Sequence, residues 1–355
     1  MSKLPISVCI IARNEEKHIE NCLRRIKPYG FEIIVADTGS TDRTKEIAAR
    51  YADRVLDYPW ADDFSAVRNF CAAHASYKWI LSVDCDEYME SCDTAELLRL
   101  TKRYPHLPGA LEIRSVIARP DGSDGCVKDF VPRFYDKKRY CYDKPVHEQL
   151  VPCDTKDATG IRNFALPIEI IHHGYALPPE EMHVKQERNL RLLHRQLETE
   201  GESPYLYYQL GQSELVLEHY EEAARYYERG MACGADCGLL YVHGMIEGLA
   251  KAYVMTGRGQ EALALMERYE PRCNSARYVF YHANVLMDND EPLKALVKYV
   301  KATMMPDTDT LGDELLYCYQ HIVELYRRFG EEELAEVFKK RYEELMADNL
   351  TLEAD

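Results

Sequence analysis

Trp79-Ile80-Leu81-Ser82-Val83-Asp84-Cys85-Asp86-Glu87-Tyr88 is a short apolar run that ends abruptly in three carboxylates. Its length and flanks predict a buried strand that delivers acids to a sheet edge. Side chains two apart on a strand share a face, so Asp84 and Asp86 are expected to point together beyond the carboxyl end. Paired carboxylate oxygens of that kind suit Mg²⁺ or Mn²⁺. Taken alone, an Asp-x-Asp is more often a solvated turn, so the neighbouring segments must decide.

Upstream, the same pattern repeats. Ile6-Ser7-Val8-Cys9-Ile10-Ile11-Ala12 is a β-branched run followed by Arg13-Asn14-Glu15-Glu16 and a helical stripe of Ile19, Leu23 and Ile26. Glu32-Ile33-Ile34-Val35-Ala36 leads into Asp37-Thr38-Gly39-Ser40-Thr41-Asp42, and Thr44 to Tyr51 predicts a helix. A third strand around Arg54-Val55-Leu56 precedes Asp63 and a helix through Val67 and Phe70. Strands alternating with helices imply a parallel sheet covered on both faces. Such sheets bind ligands outside the carboxyl ends of their strands, where Asn14, Asp37, Asp63 and Asp84 are expected to converge. The Gly39 turn lacks the dinucleotide spacing and there is no Gly-Lys-Ser/Thr loop, which disfavours a nicotinamide enzyme or a nucleoside triphosphatase.

The totals bound the rest. A chain of 355 residues, 46% of them apolar, predicts two domains, each with a sizeable core. A net charge of −16 and no long basic run argue against nucleic acid as a partner. Twelve cysteines without a repeated Cys-x-x-Cys framework suit reduced thiols in the cytoplasm. No apolar run approaches the roughly 18 residues of a membrane span, and the amino terminus has no secretion-signal pattern.

Four motifs in order resemble glycosyltransferase family 2: Ser7 to Glu15, Glu32 to Asp42, Arg68-Asn69 and Asp84-Cys85-Asp86. The resemblance covers roughly the first 90 residues and implies the GT-A fold, an α/β Rossmann-like, mostly parallel sheet. It further implies that Asp37 contacts the nucleotide base and Arg68 the donor, and that Asp84 and Asp86 serve the ribose, metal and diphosphate. Ala12, Asn14, Glu15 and Cys85 lie within the matched donor segments. Some relatives carry a His-x-Gly-Tyr segment, and by that register His172, in Ile168-Glu169-Ile170-Ile171-His172-His173-Gly174-Tyr175, is a third metal ligand for Mn²⁺ or Mg²⁺. A structural strand-end histidine is the alternative.

Between these motifs lies the acceptor side. Val131-Pro132-Arg133-Phe134-Tyr135 predicts the start of a strand, and Pro120 to Gly125 a turn-rich loop. Lys144-Pro145-Val146-His147-Glu148 follows, and the segment resembles the acceptor half of one family branch. Inversion needs a group that takes the acceptor's proton, and Glu148 is the candidate base. A surface Glu paired with His147 or an Arg is the alternative reading, and Asp136 and Asp143 are weaker candidates.

After Pro178 the strand signals stop. The expected domains are residues 1–178, a connecting helix over 179–202 and helical repeats over 203–355. Lys185, Arg188 and Asn189 near the start of the connector recur in relatives, which implies a reach of Arg188 to the donor diphosphate; a solvated basic face is the other reading. Tyr207-x-x-Leu210-Gly211 with Ala223 and Tyr227 fits the tetratricopeptide pattern. Ala223, Ala262, Ala295 and Ala335 recur at intervals near its period of roughly 34. Such arrays offer elongated surfaces to peptides or a second subunit.

The combination resembles peptide S-glycosyltransferases and some flagellin-modifying enzymes. It implies an inverting, metal-dependent transfer from a UDP-sugar to a peptide or protein side chain, by a homodimer joined through the repeats. A transferase for envelope glycans or lipids is one rival, and a non-catalytic scaffold that binds a nucleotide sugar is another.

Overall fold

In the computed structural model, which describes residues 3–118, 124–157, 160–173 and 179–352, the chain forms two compact units. They divide as Met1–Pro178 and Pro179–Asp355. The strands of the first unit are β1 (Ile6–Ala12), β2 (Glu32–Asp37), β3 (Arg54–Asp57), β4 (Trp79–Asp84), β5 (Glu87–Cys92), β6 (Gly109–Ala118), β7 (Asp124–Asp136), β8 (Tyr140–Asp143), β9 (Gln149–Pro152) and β10 (Phe164–His172). Its helices are α1 (Ile19–Ile26), α2 (Thr44–Tyr51), α3 (Phe64–Ala73) and α4 (Thr94–Arg103).

Eight strands form one sheet in the order β3-β2-β1-β4-β7-β6-β10-β5, and β8 pairs with β9 in a small second sheet. The half built from β3, β2, β1 and β4 is parallel, as the strand–helix alternation predicts. β7 then runs antiparallel to both β4 and β6, and β5 antiparallel to β10. β5 went unread in the sequence because it starts in the acidic turn itself; Glu87, Tyr88 and Met89 are buried while Glu90 and Ser91 face solvent.

β1, β2 and β4 are buried almost throughout, which explains their continuous apolar runs, whereas the edge strand β3 is half-buried. One face packs Ile6, Val8, Ile10, Ile33 and Val35 against α1 and α2, and the other packs Cys9, Ile34, Ala36 and Ile80 against α3. Burying one such side chain stabilises by about 1.5–3 kcal/mol, so these two layers fix the strand order firmly. Helix starts are capped: Asp63 Oδ1 accepts the Ala66 N–H at 2.9 Å, and Asp93 does the same for Ala95 and Glu96. Register sets Ile11 beside Asp84 and Ala12 beside Asp37, so three strand ends open at one edge.

The second unit is helical: α5 (Pro179–Glu200), α6 (Pro204–Val216), α7 (Tyr220–Ala232), α8 (Leu240–Met255), α9 (Gly259–Tyr269), α10 (Ala276–Asp288), α11 (Pro292–Thr303), α12 (Glu314–Arg328) and α13 (Glu332–Leu352). From α6 onward they pair as first and second helices. Ala223, Ala262, Ala295 and Ala335 are all fully buried on the second helices, where a small side chain lets the axes approach. Gly211 serves the same end, since a Cβ there would meet the Tyr227 ring at 2.4 Å. The connector α5 buries Leu192 and Leu193, and its His194 meets the Tyr226 hydroxyl at 3.3 Å.

Candidate active site

Two interlocked loops frame the sheet edge. Asn14, with φ of 57°, accepts the Thr41 N–H through Oδ1 at 2.8 Å, while its own N–H donates to Ser40 Oγ. The Glu15 N–H donates to Thr44 Oγ1 at 2.6 Å, and the Thr38 N–H to the Ala12 carbonyl at 2.9 Å. Ala12, Asn14 and Glu15 therefore stitch the β1 turn to the β2 turn. Inside this frame Asp37 is buried. Its Oδ1 accepts the N–H groups of Gly39 and Ser40, each at 3.0 Å, and its Oδ2 has no hydrogen-bond partner among the described residues.

The two aspartates of the opening stretch part ways. Asp84 closes β4, whereas Asp86 lies in the turn before β5, so the alternation that would align them does not extend to Asp86. Asp84 sits between two guanidinium groups: Arg68 Nη2 donates to Oδ1 at 2.7 Å and Arg133 Nη2 to Oδ2 at 2.9 Å. Burial pushes the Asp84 carboxyl up, but Arg133 and Arg68 more than offset it and hold its pKa well below the usual range. Glu87 also pairs with Arg133, at 3.3 Å, and takes the Asp84 N–H at 2.8 Å. Burial, with Asp84 close by, raises the Glu87 pKa despite Arg133. Cys85 is turned inward, its thiol donating to the Ile11 carbonyl at 3.3 Å.

Asp86 faces His172 at the end of β10, with Oδ2 and Nε2 3.2 Å apart. Parallel pairing sets Ser115 directly beside His172, and its Oγ lies 3.3 Å from Nδ1. Burial opposes the imidazolium, but the hydrogen bond to Asp86 and the surrounding carboxylates outweigh it, so the His172 pKa is raised. The next backbone amide, of His173, donates to the Asp86 carbonyl at 2.9 Å and fixes the turn. Gly174 and Tyr175, the remainder of that motif, lie outside the described residues.

Arg68 is only 5% exposed and is the hub of the site. Besides Asp84 it donates to Ser82 Oγ at 2.8 Å and, through Nε, to Glu148 Oε1 at 2.6 Å, with the Tyr142 ring 5.2 Å from its guanidinium carbon. Its neighbour Asn69 clamps β8 by exchanging hydrogen bonds with the Tyr142 backbone at 2.8 and 2.9 Å. The Arg68-Asn69 pair thus ties the strand ends to the loop between β8 and β9 that carries Glu148. In that loop Lys144 and His147 have φ of 81° and 50°, and the Pro145 carbonyl accepts the Phe64 N–H at 2.9 Å. Arg188 belongs to α5 of the second unit.

The reading by sequence missed Arg133, Ser82 and Tyr142. A signal for Arg133 was present: an arginine flanked by Val131 and Phe134 on an apolar strand must find a buried acid, and three stood at the end of β4. Among the described residues no cluster of three or more His, Cys, Asp and Glu side chains is placed to hold a metal ion. Nor does any helix there have the length and apolarity to cross a membrane.

An α/β sheet whose parallel strands end in loops and acids at one edge defines the class as a Rossmann-like GT-A domain. The family model for Glycosyl transferase family 2 matches residues 7–139. The first unit is a glycosyltransferase family 2 domain, and the chain joins it to a helical repeat array. A TPR repeat-containing protein of Synechococcus elongatus is 29% identical over 234 residues, 64% of this chain and 57% of that protein. Glycosyltransferase SunS of Bacillus phage SPbeta is 26% identical over 243 residues, 65% of this chain and 54% of that one. The chain thus spans about half the length of these relatives. The lipopolysaccharide core biosynthesis glycosyltransferase LpsC of Rhizobium meliloti is 31% identical over 93 residues, 25% of this chain and 34% of its own. Among solved structures, MamA aligns with 50% of this chain and 99% of its own at 16% identity and a TM-score of 0.41.

Proposed function

We propose that the chain is an inverting glycosyltransferase that moves a sugar from a UDP-sugar to a peptide or protein side chain, assisted by Mn²⁺ or Mg²⁺. The observation that carries this reading is Asp37, with one oxygen fixed by two loop amides and the other buried and unsatisfied. Such an oxygen calls for an N–H donor. Uracil offers its imide N–H, whereas the matching ring nitrogen of cytosine is an acceptor and would be repelled.

The residues fit a divalent cation through Asp86 and His172 rather than through Asp84. Asp86 Oδ2 and His172 Nε2, 3.2 Å apart, would hold the ion. Ser115 orients the ring through its far nitrogen, the usual support for a ligating histidine. Both Asp84 oxygens are already taken by arginines. A cation held there supplies positive charge against the departing diphosphate.

Glu148 acts as the base in this reading. Its anchorage on Arg68 orients the carboxylate, and general-base assistance is what direct displacement with inversion requires. Arg68 holds the Asp84 and Glu148 carboxylates in place. The peptide acceptor is supported by Tyr205, Tyr208 and Tyr241, whose rings cluster at 5.2–6.2 Å on the first two first helices. A glycan acceptor is the second reading, favoured by the likeness of a 93-residue stretch to LpsC.

A thermal-shift panel of nucleotide sugars with and without Mn²⁺, followed by assays of nucleoside diphosphate release on peptide and glycan acceptors, tests this. UDP-sugars should raise the melting temperature, more so with Mn²⁺, and cytidine donors should not. Glu148→Gln should keep the shift and lose transfer by about 100-fold or more. No response to any UDP-sugar removes the donor assignment, and undiminished turnover in Glu148→Gln moves the base elsewhere.

The homodimer belongs to the same proposal. Leu293 and Val297 stand four residues apart on α11 at 65% and 63% exposure, and Leu334 and Val337 on α13 at 42% and 65%. Exposed apolar residues grouped along helices suit a partner surface. Light scattering at micromolar concentration should return twice the chain mass; a monomer mass discards the dimer. We place the protein in the cytoplasm because the described cysteines are free thiols.

A further inference from the structure

Two cysteines twelve positions apart meet on the β8–β9 hairpin. Cys141 pairs across the hairpin with Val151, and the Cys153 N–H donates to the Arg139 carbonyl at 2.8 Å, so Cys153 lies diagonally opposite Cys141. Residues two apart on a strand share a face, which brings the two sulfurs together, and the Cys153 thiol is within hydrogen-bonding reach of Cys141. From the following turn Lys156, itself at φ of 57°, reaches back to place Nζ 3.0 Å from Cys141 Sγ and 3.7 Å from Asp143 Oδ1. Cys153 is exposed and Cys141 partly so, unlike Cys9, Cys22, Cys71 and Cys85, which are sealed in the core.

We propose that Cys141 and Cys153 form a thiol–disulfide modification site in which Cys141 is the attacking sulfur. The Lys156 ammonium, 3.0 Å from the Cys141 sulfur, is placed to pair with the attacking thiolate. Cys153 suits the second step: partial burial, with the hydrogen bond to Cys141, pushes its thiol up to about 11. The co-reactant is a low-molecular-weight disulfide. The Cys141 thiolate attacks one of its sulfurs and expels a thiolate. Cys153 then gives its proton to solvent and attacks the Cys141 sulfur of the mixed disulfide, expelling the second thiolate. The chain loses two electrons and two protons, and one small disulfide becomes two small thiols.

The bond would close the hairpin around residues 144–148, the loop with two non-glycine left-handed residues that ends in Glu148. Oxidation therefore brackets the candidate base covalently. The effect on transfer rests on the reading of Glu148 given above, whereas the bond itself does not.

The full chain is equilibrated with glutathione disulfide, quenched with an alkylating agent and mapped by peptide mass spectrometry. The expected product is one peptide pair linked through Cys141 and Cys153 and lighter by two hydrogen atoms, with slower amide exchange over residues 140–152. Lys156→Met should slow its formation about tenfold, and Cys153→Ser should stop at a glutathione adduct on Cys141. Exposed Cys233 is the internal control. Glutathionylated Cys233 alongside unmodified Cys141 and Cys153 overturns the site, and a first adduct on Cys153 overturns the assigned order.

Discussion

Asp84→Asn is expected to cost the first unit about 3 kcal/mol, whereas Asp86→Asn should leave its stability nearly unchanged and remove the response to Mn²⁺. The two residues differ by two positions and yet carry opposite burdens. Asp84 neutralises Arg68 and Arg133 at once, both of them largely buried. Its amide replacement keeps the shape but leaves Arg68 with Glu148 and Arg133 with Glu87 as their remaining carboxylates, and under-compensated buried charge is costly. Asp86 has His172 as its ionic partner and is partly exposed in a turn. Denaturant unfolding followed by tryptophan fluorescence isolates the first unit, because Trp60 and Trp79 are the two tryptophans of the chain. Trp79 is stacked on Phe134 at 4.8 Å, so the signal reports the β4–β7 contact directly. The Asp84 contribution is also pH-dependent. Its folded pKa is depressed, so the stabilisation is complete above about pH 4, the unfolded carboxyl value, and is lost as pH falls toward the folded one. Equal losses of stability in the two variants would show that both aspartates are structural.

The contrast marks how far the sequence could be read. Apolar runs Ile6–Ala12, Glu32–Asp37 and Trp79–Asp84 were legible as buried strands because a parallel strand covered on both faces needs an unbroken apolar sequence. The repeat was legible because close helix packing demands a small residue at each Ala223-like position. Asp37 was legible as a strand-end acid. The partners of Asp84 were not, since Arg68 comes from α3 and Arg133 from an antiparallel strand inserted beside β4, and no local pattern announces which strand will neighbour which. For the same reason the bridge that Arg68 makes between Asp84 and Glu148 was not legible. The thiols read as scattered singles, yet a hairpin register brings two of them together.

Glu247→Gln is expected to stabilise the second unit above neutral pH, against the usual direction for removing half of an ion pair. Glu247 on α8 is 7% exposed, and its charged partner is Arg277 Nε on α10 at 3.3 Å. That arginine is shared with Glu314 on α12 at 3.7 Å and is itself about half exposed. Burial dominates, Arg277 offsets it only in part, Glu314 adds to it, and the Glu247 pKa is raised to about 7. A carboxyl that holds its proton more tightly when folded makes the native state bind more protons than the unfolded one, so stability falls as pH rises from about 4.5 to about 7. At about 1.4 kcal/mol per pKa unit the loss is about 3 kcal/mol. Glutamine keeps an oxygen for Arg277 and has no proton to lose. The raised value already includes the pull of Arg277, so the variant should match the wild type near pH 4.5 and exceed it by about 3 kcal/mol at about pH 8. Urea unfolding followed by far-ultraviolet circular dichroism, compared between the two chains across this range, measures the difference. A variant less stable at every pH would mean that Arg277 holds Glu247 as a true ion pair, and that the three first helices are registered by charge rather than by packing.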